Sequence, residues 1–268
     1  KINVLPKSVA ELIAAGEVVE RPASAVKELC ENSVDAGATV ITVEIRAGGK
    51  TYIRITDNGS GIERGDIRNA FVSHATSKIR TGDDLERIMT LGFRGEALAS
   101  VCAVSKVDVL TKTDAEESGT HYVIECGEEI LLDDAGCPRG TTIVVRSLFG
   151  NVPARMKFLK KDVSEGNFVG AVLEKLAVSH PEISVRFIRD GKTVFETPGD
   201  GKLKSALRSV FGAQLASQTA EVSYSTGGAE LTGCVSLPLA SRGSRAMELF
   251  FVNGRSVKSP TATAALEE

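Results

Sequence analysis

The chain has 268 residues, 42% hydrophobic and 25% charged, with a formal net charge of -3. This is ordinary globular composition, enough for one large or two smaller domains, and it excludes a global basic field for nucleic acid, so any DNA contact must come from local Lys and Arg clusters. Cys30, Cys102, Cys126, Cys137 and Cys234 form no Cys-x-x-Cys pair, which leaves zinc and thioredoxin-like chemistry unsupported and reads as reduced, mostly buried thiols of a cytosol.

Taken in chain order, Pro6 to Val19 reads as a short helical arm through Ser8-Val9-Ala10-Glu11-Leu12-Ile13-Ala14-Ala15. A second helix opens with Pro22, where a missing N–H costs nothing, and ends near Gly37, a C-terminal cap. Val26, Leu29, Cys30 and Val34 form its apolar stripe, and Glu28, Asn32 and Asp35 fall opposite. Two strands come next. Ile41, Val43 and Ile45 alternate with Thr42 and Glu44, and the return strand carries Ile53 and Ile55. By the period of two, Asp57 shares that apolar face, where a carboxylate needs a partner. Arg64 to Thr90 reads as short helices and loops. A helix is expected over Arg94 to Ala103, then strands at Val104–Thr111, His121–Glu125, Ile130–Asp133 and Thr141–Arg146. Pro153 to Leu159 is a helical turn, Val163 to Ser179 a longer helix, and Ile183–Arg189 with Thr193–Glu196 a hairpin across Asp190-Gly191. Pro198-Gly199-Asp200-Gly201 marks a domain boundary, dividing the chain into 1–199 and 200–268. A helix at Leu203–Phe211 and strands around Glu221–Ser225, Glu230–Ser236 and Met247–Val252 come after it. Lys1 in place of Met, and a final helix from Thr261 to Glu268 cut in mid-course, read as a fragment. No apolar run is long enough for a membrane span, and no signal-peptide pattern opens the chain.

Neither a P-loop nor a complete Gly-x-Gly-x-x-Gly occurs. On the helix, Asn32 supplies a side-chain oxygen of the kind Mg²⁺ takes alongside phosphates and water. Glu28, one turn earlier, could orient and deprotonate a water attacking a γ-phosphate. Taken alone, such a face is more often solvated surface. Asp57-Asn58-Gly59-Ser60-Gly61 alone is usually a turn, but a buried Asp57 could accept the exocyclic amine of adenine and reject guanine's carbonyl, with Ile62 covering the base. Gly92-Phe93-Arg94-Gly95-Glu96-Ala97-Leu98 is a glycine-punctuated helix start, suited to phosphate and to a lid, or else a flexible loop. Thr76, Ser77 and Lys78 add hydroxyls and a cation. Thr141 could face the base or Asp57, or reflect β-propensity alone. No histidine pairs with a nucleophile as a hydrolase triad would require.

In this order the pieces resemble the MutL family of DNA mismatch-repair ATPases, which shares its nucleotide fold with gyrase B, large heat-shock chaperones and histidine kinases. The resemblance rests on Ile13-Ala14-Ala15-Gly16-Glu17-Val18-Val19-Glu20-Arg21-Pro22, Asp35-Ala36-Gly37-Ala38, Gly92 to Leu98, Asn151-x-Pro153-Ala154-Arg155-x-Lys157-Phe158-Leu159 and Val252-Asn253-Gly254-Arg255. It implies an α+β fold: a two-layer α/β sandwich ATPase domain (Bergerat fold) with a mixed sheet, then an incomplete domain like ribosomal protein S5. It implies ATP and Mg²⁺, with Glu28 as general base, Asn32 as metal ligand, Asp57 reading adenine beside Thr141, and Gly92–Leu98 with Thr76–Lys78 over the triphosphate. Asp35, Ala36, Gly61 and Ile62 complete the expected nucleotide contacts. ATP binding would order the lid and arm and join two N-terminal domains into a homodimer; slow hydrolysis would reset a clamp linking a MutS-type mismatch sensor to nuclease or helicase steps. The family's late second-domain lysine and C-terminal dimerisation domain fall outside the chain, so binding is expected to exceed hydrolysis. Arg155, Lys157, Lys160, Lys161, Arg255 and Lys258 are the candidate contacts for DNA bound with little sequence preference, although any one of them is more often a solvated charge. A bacterial cytoplasm near the nucleoid is the expected setting. The competing readings are a chaperone or topoisomerase ATPase of the same fold, and a DNA-binding scaffold with a decayed site.

Overall fold

The structure is a computed structural model and describes residues 3, 6, 13, 15–78, 90–92, 95–240 and 243–268. Ser8 to Leu12 and Ala14 of the expected arm lie outside the described residues, as do Phe93 and Arg94. Residues 15–18 are helical. The chain divides into two compact units, residues 1–173 with 186–194, and residues 174–185 with 195–268.

In the first unit, helix α1 covers Pro22–Asp35 and starts from an extended Arg21, with proline in its first turn. Ala23, Ala25, Val26, Leu29, Cys30 and Ser33 form its buried side. Burying side chains the size of Val26 and Leu29 contributes roughly 1.5–3 kcal/mol each. The helix stops where Gly37 takes φ +71 and donates its N–H to Val34 O, a left-handed exit that glycine makes without strain. Strands β1 (Val40–Arg46) and β2 (Tyr52–Asp57) pair antiparallel, with Val43 opposite Ile55. Ile41, Val43, Ile45, Ile53 and Ile55 are all buried.

Helix α2 (Ala97–Ala103) leads to β3 (Lys106–Lys112), β4 (Gly119–Glu125), β5 (Glu128–Ala135) and β6 (Gly140–Arg146). The order across the eight-stranded sheet is β5-β4-β3-β6-β2-β1-β7-β8, where β7 is Ser184–Arg189 and β8 is Lys192–Glu196. Antiparallel pairing joins β1 through β6 along this row. Helix α1 packs on β2 and on α2, and α2 on β3 and β4, giving a helix layer over a sheet layer. Between β6 and β7 the chain forms two helices, the short α3 (Pro153–Phe158) and the long α4 (Asp162–Ser179).

Two expectations change. The helix expected from Arg94 begins at Ala97, because Gly95 holds φ +63 and Glu96 is its N-cap. Gly95 and Glu96 lead into a seven-residue helix. The strand expected at Val104 begins at Lys106; Val104 caps α2 instead.

The second unit holds α5 (Leu203–Phe211), α6 (Ala213–Ser217), the hairpin of β9 (Thr219–Thr226) with β10 (Ala229–Ser236), the hairpin of β11 (Phe250–Val252) with β12 (Arg255–Val257), and α7 (Pro260–Glu267). Val178, Leu207 and Ala216 are its buried centre, packed by Leu203, Phe211, Cys234 and Phe251. Met247 lies in a 3-10 turn ahead of β11 rather than in the strand. The Asn253-Gly254 marker is the β11–β12 turn, with φ +49 and +76, the Asn-Gly geometry that right-twisted hairpins favour.

Candidate functional site

Asp57 is the last residue of strand β2, on the same side as Ile53 and Ile55, as the two-residue period expects. Both of its oxygens are engaged. Gly59 N–H (2.9 Å) and Thr141 N–H (3.3 Å) donate to Oδ1, and the Ser33 hydroxyl donates to Oδ2 at 2.7 Å. Three donors on one half-buried carboxylate fix its orientation. Ser33 is 4% exposed and escapes sequence reasoning because a serine on an apolar helix stripe gives no signal until the facing strand is known.

The chain after Asp57 is pinned from both sides. Asn58 Oδ1 accepts Thr39 N–H and Val40 N–H, each at 2.9 Å, and Ser60 N–H donates to Ala36 O at 2.9 Å. Gly61, at φ +76, lies so close to the Lys112 carbonyl that no Cβ fits. Ile62 N–H then donates to Thr111 Oγ1 at 2.9 Å. Thr111 is a second residue that sequence reading misses. Thr141, Asp57, Gly61, Ile62 and Ala36 thus share one neighbourhood.

A second cluster forms at the last turn of α1. Asp35, with a side chain 6% exposed, accepts Leu91 N–H at 2.7 Å, Gly92 N–H at 2.9 Å and the Lys78 ammonium at 2.5 Å. Lys78 also donates to Asn32 Oδ1 at 2.9 Å, and its N–H donates to Thr76 Oγ1 at 3.2 Å. A Cβ on Gly92 would lie 3.1 Å from Lys78 Nζ and 3.4 Å from Asn32 Oδ1, so the glycine lets the loop backbone close onto the cluster. Ser77 is exposed. Gly95 O accepts His74 N–H at 2.9 Å, and Glu96 contacts His74 Nδ1 at 3.2 Å. Ala97 and Leu98 open α2. Glu28 stands apart from this cluster; its carboxylate contacts Lys27 Nζ at 3.2 Å.

A cation already resting on an amide oxygen and a carboxylate marks Asn32 and Asp35 as hard-oxygen donors. Among the described residues no group of three His, Cys, Asp or Glu forms a cage. That donor set fits Mg²⁺ held by one or two protein oxygens with phosphates and water completing the shell. It would suit transition metals poorly.

Of the basic candidates, Arg155 and Lys157 lie on α3 with the exposed Met156 and with Phe158, 84% exposed. Arg155 lies over Gly16, where a Cβ would come within 2.6 Å of its guanidinium. Lys160 Nζ lies 5.2 Å from the Phe168 ring centre, and Lys161 is exposed. Arg255 and Lys258 belong to the second unit. All five cysteines are unpaired thiols. Among the described residues no helix is long and apolar enough to cross a membrane.

Residues 20–129 match the family described as histidine kinase-, DNA gyrase B- and HSP90-like ATPase, and residues 207–268 match the family described as DNA mismatch repair protein, C-terminal domain. The chain is 49% identical over 267 residues to the DNA mismatch repair protein MutL of Agathobacter rectalis, and 45% identical over 268 residues to that of Symbiobacterium thermophilum. Both matches take in 100% of this chain but 41% and 42% of the relatives' lengths. The Aquifex aeolicus MutL ATPase domain complexed with ADP superposes with a TM-score of 0.72 at 30% identity, covering 93% of this chain and 88% of that one. The N-terminal domain of a DNA repair protein superposes with a TM-score of 0.78 at 27% identity, covering 94% and 79%.

Proposed function

This chain belongs to the MutL family of DNA mismatch-repair proteins, and we propose that it is the ATP-driven part of a repair clamp. The observation that carries this reading is Asp57. A carboxylate held by Ser33, Gly59 and Thr141 is an oriented acceptor at the end of a strand, and adenine offers an amine where guanine offers a carbonyl. Ile62 covers the base. The ATPase family match and the likeness to an ADP-bound relative support the same ligand class.

In this reading Asn32 holds Mg²⁺ through its side-chain oxygen, with Asp35 close by, and the ion when bound neutralises charge on the phosphates. Lys78 leaves Asn32 and Asp35 for the phosphates, and Thr76, Ser77 and Gly92–Leu98, including Phe93 and Arg94, close over them. Glu28 accepts a proton from the attacking water as oxygen bonds to the γ-phosphorus and ADP leaves with the bridging oxygen. Turnover is slow. Closure joins two copies at the ATPase domain, residues 1–199, and the domain beginning at residue 200 continues the chain as an S5-like module. The clamp passes a signal from a MutS-type sensor to nuclease or helicase steps in a bacterial cytoplasm at the nucleoid. DNA is held without marked sequence preference by Arg155, Lys157, Lys160, Lys161, Arg255 and Lys258.

The test is calorimetric titration of a non-hydrolysable ATP analogue with Mg²⁺ into the wild type and Asp57→Asn. Binding that is lost in the variant is expected. A variant that binds as well as the wild type would remove Asp57 from the base contact, and no binding to either would sink the nucleotide reading.

A further inference from the structure

Asp57 stands at the head of a transverse row of hydroxyls. Its register partner on β6 is Thr141, Thr141 is opposite Thr111 on β3, and Thr111 is opposite Thr120 on β4. Thr141, Thr111 and Thr120 are 9%, 0% and 1% exposed. Such positions in a sheet interior are usually filled by Val or Ile, which need no hydrogen-bond partner. A buried hydroxyl must therefore satisfy its bonding within the fold.

The central hydroxyl has three contacts. Thr111 Oγ1 accepts Ile62 N–H at 2.9 Å, lies 3.1 Å from Gly140 O, and lies 3.0 Å from Thr141 Oγ1. A threonine hydroxyl carries one proton and two lone pairs. Gly140 O has no proton, so that contact is a hydrogen bond only if Thr111 donates. Its single proton is then spent, and the Thr141 contact requires Thr141 to donate to Thr111. This arrangement satisfies all three contacts at once. The reverse assignment, with Thr111 donating to Thr141, gives up the Thr111–Gly140 hydrogen bond.

We propose that Thr111 is a positioning residue that sets the hydrogen-bond polarity of the base pocket. By taking the Thr141 proton it leaves Thr141 Oγ1 with lone pairs only. Asp57 already offers lone pairs only. The two groups beside the base then present acceptors and no donor. That matches an exocyclic amine and opposes a carbonyl at the same place. Through Ile62 N–H the same oxygen also fixes the residue that covers the base. Thr111 thus acts on selectivity without touching the ligand. The proposal rests on the adenine-nucleotide reading above.

The experiment is calorimetry of ATP and GTP non-hydrolysable analogues into the wild type, Thr111→Val, Thr111→Ser and Asp57→Asn, with circular dichroism confirming each fold. Valine keeps the branched shape and removes the oxygen. Thr111→Val should bind the ATP analogue more weakly and narrow the ATP-to-GTP preference by at least about tenfold, the order expected when a buried hydrogen-bond pair is lost. Thr111→Ser, which keeps the oxygen, should restore most of the preference. A Thr111→Val protein with equal proportional losses for both nucleotides would show a merely structural role and overturn the proposal. So would an unchanged preference, or a serine variant that fails to rescue. A wild type with no base preference, or Asp57→Asn with an intact one, would instead overturn the base-reading assignment on which the proposal stands. Should Thr111→Val fail to fold, Thr111→Ala, which also lacks the oxygen, is measured beside Thr111→Ser: a preference narrowed in the alanine variant only is expected, and equal preferences in the two overturn the proposal.

Discussion

Glu28 and Asp57 divide the chemistry at the residue scale. Asp57 is locked by three donors before any ligand arrives, whereas the Glu28 carboxylate, with its side chain 30% exposed, meets the solvent-facing Lys27 ammonium at 3.2 Å. A group that must move a proton benefits from that freedom; one that reads a base benefits from rigidity. Glu28→Ala is expected to lower ATP turnover by about 10²–10⁴-fold, the usual worth of a general base, with analogue affinity retained. Steady-state phosphate release measured beside calorimetry decides it, and undiminished turnover would remove Glu28 from the reaction. Cys30, directly on α1, gives an independent check on the packing. Burial, then the nearby Asp57 and Glu31 carboxylates, push its thiol well above the ordinary range, so the thiolate that reacts with alkylating agents is absent at pH 8. Cys126 is exposed. Iodoacetamide at pH 8 followed by mass spectrometry should label Cys126 and spare Cys30 in the folded protein. Rapid labelling of Cys30 would mean that α1 does not pack as described.

At the element scale the site depends on how strand ends meet. Gly140 begins β6 at φ +111, and its Cα lies against the Asp57 carbonyl so closely that a Cβ would overlap backbone. Gly140→Ala therefore forces strain on the strand pair that presents Asp57 and Thr141. A destabilisation of about 1–3 kcal/mol is expected from the backbone strain alone, with weakened nucleotide binding. Gly136, which has nothing near it, is the control, and Gly136→Ala should shift the urea midpoint little. Equal midpoints for the two variants would refute the close approach. The register around this strand end also shows how much of the fold is legible in the sequence. Alternation along Ile53, Ile55 and Asp57 is enough to put the carboxylate on the core side, and Asp190-Gly191 is enough to place a hairpin. Helix Leu203–Phe211 is legible to the residue, because its apolar period is strong and its ends are marked. Ser33 and Thr111 are illegible, since each acts only through a strand or helix distant in sequence. The start of α2 is misplaced from sequence, because helical propensity across Gly95 does not reveal that its φ is positive. Helix α6 and strand β12 also escape, being too short to show a period.

At the scale of the whole molecule, the proposed clamp has two measurable behaviours. Light scattering at saturating Mg²⁺ and ATP analogue should show the mass of a dimer, against a monomer without nucleotide; an unchanged mass would count against closure. The second concerns DNA, and charge sets its terms. The net charge of -3 means that the molecule as a whole does not attract a polyanion, so binding must come from local cations. Within the first unit the stretch from Arg155 to Lys161 carries four of them, and Asp162 comes directly after. Lys157 and Lys161 are exposed, and among the described residues neither forms an ion pair or a ring contact of the kind that occupies Lys160. Their release of counterions should give an affinity that falls linearly with the logarithm of salt, with a slope near -0.9 for each duplex phosphate neutralised. Lys157→Glu with Lys161→Glu should flatten that slope by about two units, weaken binding to all sequences alike, and leave ATP-analogue affinity intact, because both residues are remote in sequence from the nucleotide cluster and, among the described residues, share no side-chain hydrogen bond with it. Fluorescence anisotropy with a labelled duplex across a salt series measures this directly. An unchanged slope would move the DNA contact away from the Arg155–Lys161 stretch, leaving Arg255 and Lys258 of the second unit as the remaining candidates; a salt-independent affinity would contradict phosphate contacts altogether.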